Sequence, residues 1–470
     1  VDVIGFTKQS LFSIKAVAMD RRLFLSAGLG SLGFMLLPTA LRAEAQEDPH
    51  FFLQIYIYGG LDSLFLFDGR FKNMTAAGIA HDHVKEEPKL WEGVNGGHCL
   101  ATSIARRLEK YRKNFSVVNG VYMATSFDGH PQNVNFLFTG NPFGGESFVP
   151  HMNERTDTSY RKRPLDALQS GGFPLDHNNG GSTIPLSVES AVKLIETVKR
   201  SRTMDVHQPA IGFLRSRFRA LSSGGGQFSR GSAAMGHGYA AAPDLSERLT
   251  RVRLTPQRSP EAGFMQMMSG FFKEGIASAA ILQLVPDIEH FDVHSGIAAR
   301  RQVLAYNSVM DKLVRVFDLL TTLPFDRTRS LMDVTTVLVA SEFGRALRQP
   351  GLALDETGTD HNVLSNSMLI GGKGIRGGLV IGDSDWQSPT EELSPAHRIV
   401  DPNGLKFMGR PFDFTAGQSR TDKPETFDLD DYITMSSVVN TIYSCLSVPR
   451  TKWRTVKRDG PSAPLLSRLL

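Results

Sequence analysis

The run Thr335–Ala340, TTVLVA, is β-branched or apolar throughout and is bounded by Asp333 and Ser341. A run of this kind, without polar alternation, reads as a strand covered on both faces, the kind that parallel sheets contain. Phe51–Tyr58 (FFLQIYIY), Phe115–Val121 and Ala279–Val285 have the same texture. Helical patterns lie between and after them. The longest, from about Ile297 to Leu320, places Val303, Tyr306, Met310, Leu313, Phe317 and Leu320 at alternating steps of three and four, which makes one packed stripe. Pro131 opens a short helix, Gln132–Phe138, and Met435, Val439, Ile442 and Leu446 mark a C-terminal one. Strands separated by helices predict an α/β fold around a largely parallel sheet covered on both faces.

In such sheets ligands bind beyond the carboxyl ends of the strands. Asp62 follows the first run within Gly59-Gly60-Leu61-Asp62-Ser63, Asp292 and His294 follow Ala279–Val285, and Glu342 follows Thr335–Ala340. Farther along that last loop come Arg345 and the adjacent pair Asp360-His361. Carboxylates and imidazoles are hard-oxygen and nitrogen ligands, so separate strands bring possible metal ligands to one edge. Plainer readings exist for each. An Asp after Gly-Gly is a common turn residue or helix cap, His294 is placed to cap the long helix, and His130 is equally a structural histidine. Arg345 is placed to clamp a substrate phosphate or sulfate or to pair with Glu342, two roles that do not exclude each other. Gly371–Gly378 precedes the short strand Leu379–Ile381 and no helix, so it is a turn and not a phosphate loop.

The N-terminal stretch has its own logic. Arg21-Arg22 precede the apolar run Leu23–Leu37, and Ala43-Glu44-Ala45 follows as a small-residue cleavage site. Charge, apolar run and cleavage site are the layout of an export signal, and the paired arginines are those of the twin-arginine type. Residues 1–45 are therefore read as a signal segment starting at Met19, the protein as periplasmic or otherwise exported, and the export machinery as a partner. Without those residues, which carry five basic and three acidic side chains, the net charge falls from +4 to +2. This gives no electrostatic case for nucleic acid, and no later stretch is apolar enough for stable membrane insertion. Residues 46–450 are read as one domain, with a loop-rich cap or insertion at about 141–260 outside the main sheet and a tail at 451–470. Cys99 and Cys445 either pair across a very long loop or remain buried thiols.

The order of strand–GGLDS, a histidine segment with a following helix, FDVH after a strand, SEFGR, GTDH and a Gly-rich hairpin resembles the exported bacterial family called domain of unknown function 1501. That family is placed in the alkaline phosphatase and sulfatase superfamily. The resemblance runs over roughly residues 20–450, and SEFGR with GTDH downstream is its most specific part. It implies a three-layer α/β/α sandwich, alkaline phosphatase-like, with two divalent ions (zinc, magnesium, manganese or calcium) at the sheet's carboxyl edge. It also implies an exported hydrolase acting on a small anionic phosphate or sulfate ester. By position Asp62 resembles the first metal ligand, and Asp292 and His294 resemble ligands of the second ion. Glu342 with His361 is the favoured match for the remaining ligands, and the pair Asp360-His361 is the alternative. Where the family commonly has Ser-His-Phe, this chain has Gly129-His130-Pro131. Catalysis then falls to Thr125 or Ser126 with His130 and Arg345, or to a metal-activated water. A catalytically silent exported binding or assembly protein that keeps the fold is the other reading.

Overall fold

The computed structural model describes residues 48–61, 63, 66–69, 88–123, 129–157, 163–170, 183–185, 191–193, 195–196, 247–255, 257–288, 291–292, 299–346, 359–386, 407–422 and 427–470. The expected leader, Asp62, Thr125, Ser126 and His294 lie outside the described residues. Chain contacts divide the molecule into residues 1–48 and 49–470, and every element below belongs to the second unit.

An eight-stranded sheet organises that unit. Its strands are β1 (Phe51–Ile57), β2 (Phe115–Val118), β3 (Leu165–Gln169), β4 (Thr183–Pro185), β5 (Ala277–Leu284), β6 (Thr335–Ala340), β7 (Met368–Gly372) and β8 (Val380–Ile381), in the spatial order β8-β2-β7-β6-β1-β5-β3-β4. All pairings are parallel except those of β7, which runs against both β6 and β2. The carboxyl ends of β1, β5 and β6 therefore open on one edge.

Successive side chains of a strand point to opposite faces, and β1 divides its apolar residues accordingly. Phe51, Leu53, Ile55 and Ile57 join a core with α2 (Pro260–Lys273) and α3 (Ala299–Thr322), represented by Phe264, Met268, Val309 and Phe317. Phe52 and Tyr56 join the opposite core with α1 (His130–Thr139) and α4 (Met435–Cys445), represented by Phe136, Val438 and Ile442. Two cores on one sheet make three layers, the α/β/α arrangement expected from the sequence. Local chemistry fixes the helix starts: Ser259 caps α2 by accepting from the Ala262 amide at 3.2 Å, and Thr434 caps α4 by accepting from Ser437 at 3.3 Å. Among the described residues no helix is long and apolar enough to cross a membrane.

The sheet corrects two boundaries. The block at about 141–260 supplies β3 and β4 to the main sheet, with Ala167 opposite Ala279 and Leu168 opposite Ala280. Asp166 interrupts the apolar run of β3 and hides it from a pattern search; its carboxylate is satisfied by Asn153 at 2.6 Å. Residues 451–470 are not a loose tail, because Val456, Ala463, Leu466 and Leu469 are buried in the second core. Cys99 and Cys445 are both free thiols and half-buried, packed against different cores, so they do not pair.

Candidate metal centre

Four chain segments meet at the carboxyl edge. β1 ends in Gly59-Gly60, β6 runs directly into Ser341–Arg345, Asp292 follows β5, and α1 begins with His130. A short antiparallel pairing sets His361 opposite Arg345 and Asn362 opposite Gly344, which brings the far end of the long loop back to its start. The close approach of the first two segments depends on glycine. Gly60 has φ +78°, and a Cβ there would stand 2.3 Å from the Phe343 ring. The Ser341 hydroxyl ties the segments together, accepting from the Leu61 amide at 3.0 Å and donating to Glu342 Oε2 at 2.9 Å.

His130, Asp292 and His361 each offer a ligand atom, and these atoms lie within 4.8 Å of one another. His130 Nε2 is 3.0 Å from Asp292 Oδ2, and His361 Nε2 is 3.4 Å from Asp292 Oδ1. The two imidazoles stand edge-on at 4.6 Å between centroids, and Phe343 packs on both, at 4.8 and 4.3 Å. Behind His130 sits Glu342, which is completely buried. Glu342 Oε1 accepts from the Gly59 amide at 2.9 Å and lies 2.8 Å from His130 Nδ1. This bond assigns the proton to Nδ1 and leaves Nε2 as the ligating nitrogen, the arrangement common behind metal-bound histidines. His130 Nε2 is buried and, despite its nearness to Asp292, out of alignment for a hydrogen bond. A buried nitrogen in this state, beside a second imidazole and a carboxylate, fits a divalent ion.

The charges are strongly coupled. Burial opposes the His130 imidazolium, but the hydrogen bond and charge of Glu342, joined by Asp292, overcome it and raise its pKa. Burial also opposes the Asp292 carboxylate, yet the Arg345 guanidinium and then His130 hold its pKa well below the usual range. Burial, followed by the charges of Glu342 and Asp292, pushes the half-buried Tyr58 phenol up, and its ring lies 5.6 Å from that of His130.

Residues 230–399 match the family model described as protein of unknown function, DUF1501. That span contains Asp292, Glu342, Arg345 and His361 but not His130, and it is narrower than the resemblance read from the motifs. No curated protein matches the chain. Similar solved structures include the lipoteichoic acid synthase LtaP from Listeria monocytogenes, at 9% identity and TM-score 0.32, covering 88% of this chain and 76% of that one. A second is Ps i-CgsB in complex with k-i-k-neocarrahexaose, at 11% identity and TM-score 0.28, covering 71% of this chain and 68% of that one. A third is a protein in the alkaline phosphatase superfamily from Vibrio parahaemolyticus, at 11% identity and TM-score 0.27, covering 71% and 64%. At these identities and TM-scores the likeness says nothing of substrate, and the functional argument rests on side chains.

Of the ligands expected from the sequence, Asp292 and His361 converge, and they do so with His130, which had been matched to catalysis. Glu342 is present but turned to His130, Gly59 and Ser341. Asp360 is exposed, and its Oδ1 accepts from the His361 amide at 2.8 Å, so it is not in the convergent group. Arg345 is fully buried and pairs with Asp292 at 2.9 Å, a partner the sequence reading did not name. An anion clamp needs an accessible guanidinium, and this one is inaccessible. Ser341 and Phe343 were missed, although both stand inside the SEFGR motif; their adjacency to Glu342 was the signal available.

Proposed function

We propose that this chain is an exported, metal-dependent hydrolase of phosphate or sulfate esters. The observation that supports the reading best is the convergence of His130, Asp292 and His361 at the carboxyl edge of the sheet, with Glu342 behind His130. Two imidazoles and one carboxylate are the convergent donors among the described residues, a mixed nitrogen and oxygen set of the kind catalytic centres use. A divalent ion held there would supply Lewis-acid stabilisation of the charge that develops on ester oxygens. The protein's part is orientation. Glu342 fixes the tautomer and the ring plane of His130, Arg345 fixes Asp292, and Phe343 packs on both imidazoles and supports their orientation. Tyr58 forms a half-buried wall beside His130. Export is supported by the paired arginines, the apolar run and the cleavage site of residues 21–45, and on this reading the reaction would occur in the periplasm or beyond it.

The deciding experiment begins with metal content after purification without chelator, and again after loading with zinc, manganese, magnesium or calcium. It continues with hydrolysis of 4-nitrophenyl phosphate and sulfate. The expected result is bound metal and turnover of one ester class, both lost in His361→Ala. Failure to bind any of the four ions would sink the reading. Bound metal without turnover on either ester would leave the fold as a silent binding protein. Ser126→Ala then separates attack by that hydroxyl, which predicts loss of turnover, from attack by water, which predicts retention.

A further inference from the structure

A second concavity lies on the same edge of the sheet, away from the metal centre. β8 is parallel to β2, and β2 and β6 both run against β7, so β8 points the same way as β6. Its carboxyl end therefore opens on the edge that carries the metal centre, three strand positions from β6 and roughly 14 Å along it. Residues Gly382–Asp385, which follow β8, form one wall of a cavity of about 600 Å³. The strand His98–Ala101 and the turn Gly417–Ser419 supply two more, and Arg410 and Arg468 reach in from the sides. This volume is that of a site for a small molecule.

The walls are preformed. Strands Ser384–Trp386 and Phe407–Gly409 pair antiparallel, as do Phe412–Asp413 and Gln418–Ser419. Gly382 turns the chain at φ +75°, where a Cβ would stand 2.2 Å from Asn119 O. Carboxylates and guanidiniums alternate on these walls. Arg410 Nη2 donates to Asp385 Oδ2 at 2.9 Å, and its Nε is buried, 3.6 Å from Asp383 Oδ2 and without a hydrogen bond. Ser384 donates to the buried Asp68, and Arg468 Nη1 donates to Gly417 O at 3.1 Å. An anion entering here meets the carboxylates of Asp68, Asp383 and Asp385, and a metal cation meets the two guanidiniums. A neutral ligand rich in hydroxyls suits both, because each hydroxyl can accept from a guanidinium and donate to a neighbouring carboxylate.

We infer that the cavity beyond β8 is a binding site for a neutral sugar, distinct from the metal centre. The carboxylate–guanidinium pair Asp385–Arg410 receives adjacent hydroxyls, and Leu100, Val380 and Ile381 supply apolar lining for the carbon face of the ring. The site stands whether or not the metal centre cleaves an ester, so either reading can fail without the other.

The test uses the full chain and a panel of glucose, galactose, mannose, N-acetylglucosamine, cellobiose and lactose. Binding is read by saturation-transfer-difference NMR and affinity by calorimetry, with sodium phosphate as the anion probe. At least one sugar should bind. Arg410→Ala should weaken it roughly 10–100-fold, the loss expected for a hydrogen bond to a charged group. Gln418→Trp, a change at an exposed position that fills the cavity, should abolish binding, and His361→Ala should leave it unchanged. Circular dichroism checks that each variant folds; Gln418→Trp decides the matter if Arg410→Ala does not. No binding from the panel would overturn the inference, as would binding of phosphate alone. Sugar binding that survives Gln418→Trp but is lost in His361→Ala would place the ligand at the metal centre and overturn it as well.

Discussion

Glu342→Gln is the most informative single change. In the native protein Oε1 serves His130 Nδ1 at 2.8 Å and the Gly59 amide at 2.9 Å, and Oε2 receives the Ser341 hydroxyl at 2.9 Å. Glutamine has nearly the same shape. Its oxygen can keep the first two bonds, and its amide nitrogen can donate to Ser341 Oγ, which then reverses its role. What is lost is charge. A charge-assisted bond weakened to a neutral one should cost folding about 1–2 kcal/mol. Glu342→Ala would instead strand buried donors and leave His130 uncompensated, at about 3–5 kcal/mol. For the metal, a neutral partner leaves His130 less basic and less firmly oriented, so affinity should fall roughly 10–100-fold. Chelator-competition titration of zinc, with thermal unfolding of the metal-free protein as the folding control, reads both quantities. Unchanged affinity would refute the role given to Glu342. A loss far beyond that range would place Glu342 on the ion itself, as the sequence reading had it.

Three further outcomes are expected. Metal at 100 times its dissociation constant should stabilise the wild type by about 2.7 kcal/mol, and EDTA should remove that increment; His361→Ala should show neither effect in thermal unfolding. Gly60→Ala should destabilise by about 2–4 kcal/mol, because a Cβ at φ +78° is strained and would stand 2.3 Å from Phe343; a midpoint in urea like that of the wild type would contradict this packing. The third concerns pH. Burial, aided by Arg454 and Lys452, lowers the pKa of His151, whose Nδ1 lies 2.7 Å from the Tyr443 hydroxyl and whose Nε2 lies 3.0 Å from Glu146. The unfolded chain therefore binds a proton that the folded one resists. Stability should hold above the ordinary value of 6.5 and decline as pH falls below it. His130, with its pKa raised, has the opposite sign: its contribution is full below 6.5 and fades as pH rises through the folded value. Urea unfolding of His151→Gln from about pH 5 to 7 isolates the first effect; a slope identical to the wild type would exclude it.

Much of the architecture was legible because it depends on local pattern. The TTVLVA run is β6, the alternating three-four stripe is α3, and Phe51–Tyr58 is β1 to within a residue. Burial on both faces writes itself into sequence as unbroken apolar runs, and a packed helix writes itself as a period. Asp292 and His361 were legible as possible ligands because each carries suitable chemistry next to a strand end or in the long loop. Strands broken by a polar residue were not: β3 hides behind Asp166, which is acceptable only because Asn153 is there to meet it.

Partnership was decided by tertiary structure alone. Nothing in the chain order says that His130, more than 160 residues before Asp292, shares a cluster with it. Nor does it say that Arg345 turns to Asp292 while Glu342, three residues earlier, turns to His130. Sequence lists which groups are chemically able to bind, but whether a carboxylate faces an ion or a neighbouring imidazole depends on which backbone amide, hydroxyl or guanidinium occupies its other side. At this edge those occupants are the Gly59 amide, the Ser341 hydroxyl and the Arg345 fork, brought together only when β1, β5 and β6 lie side by side.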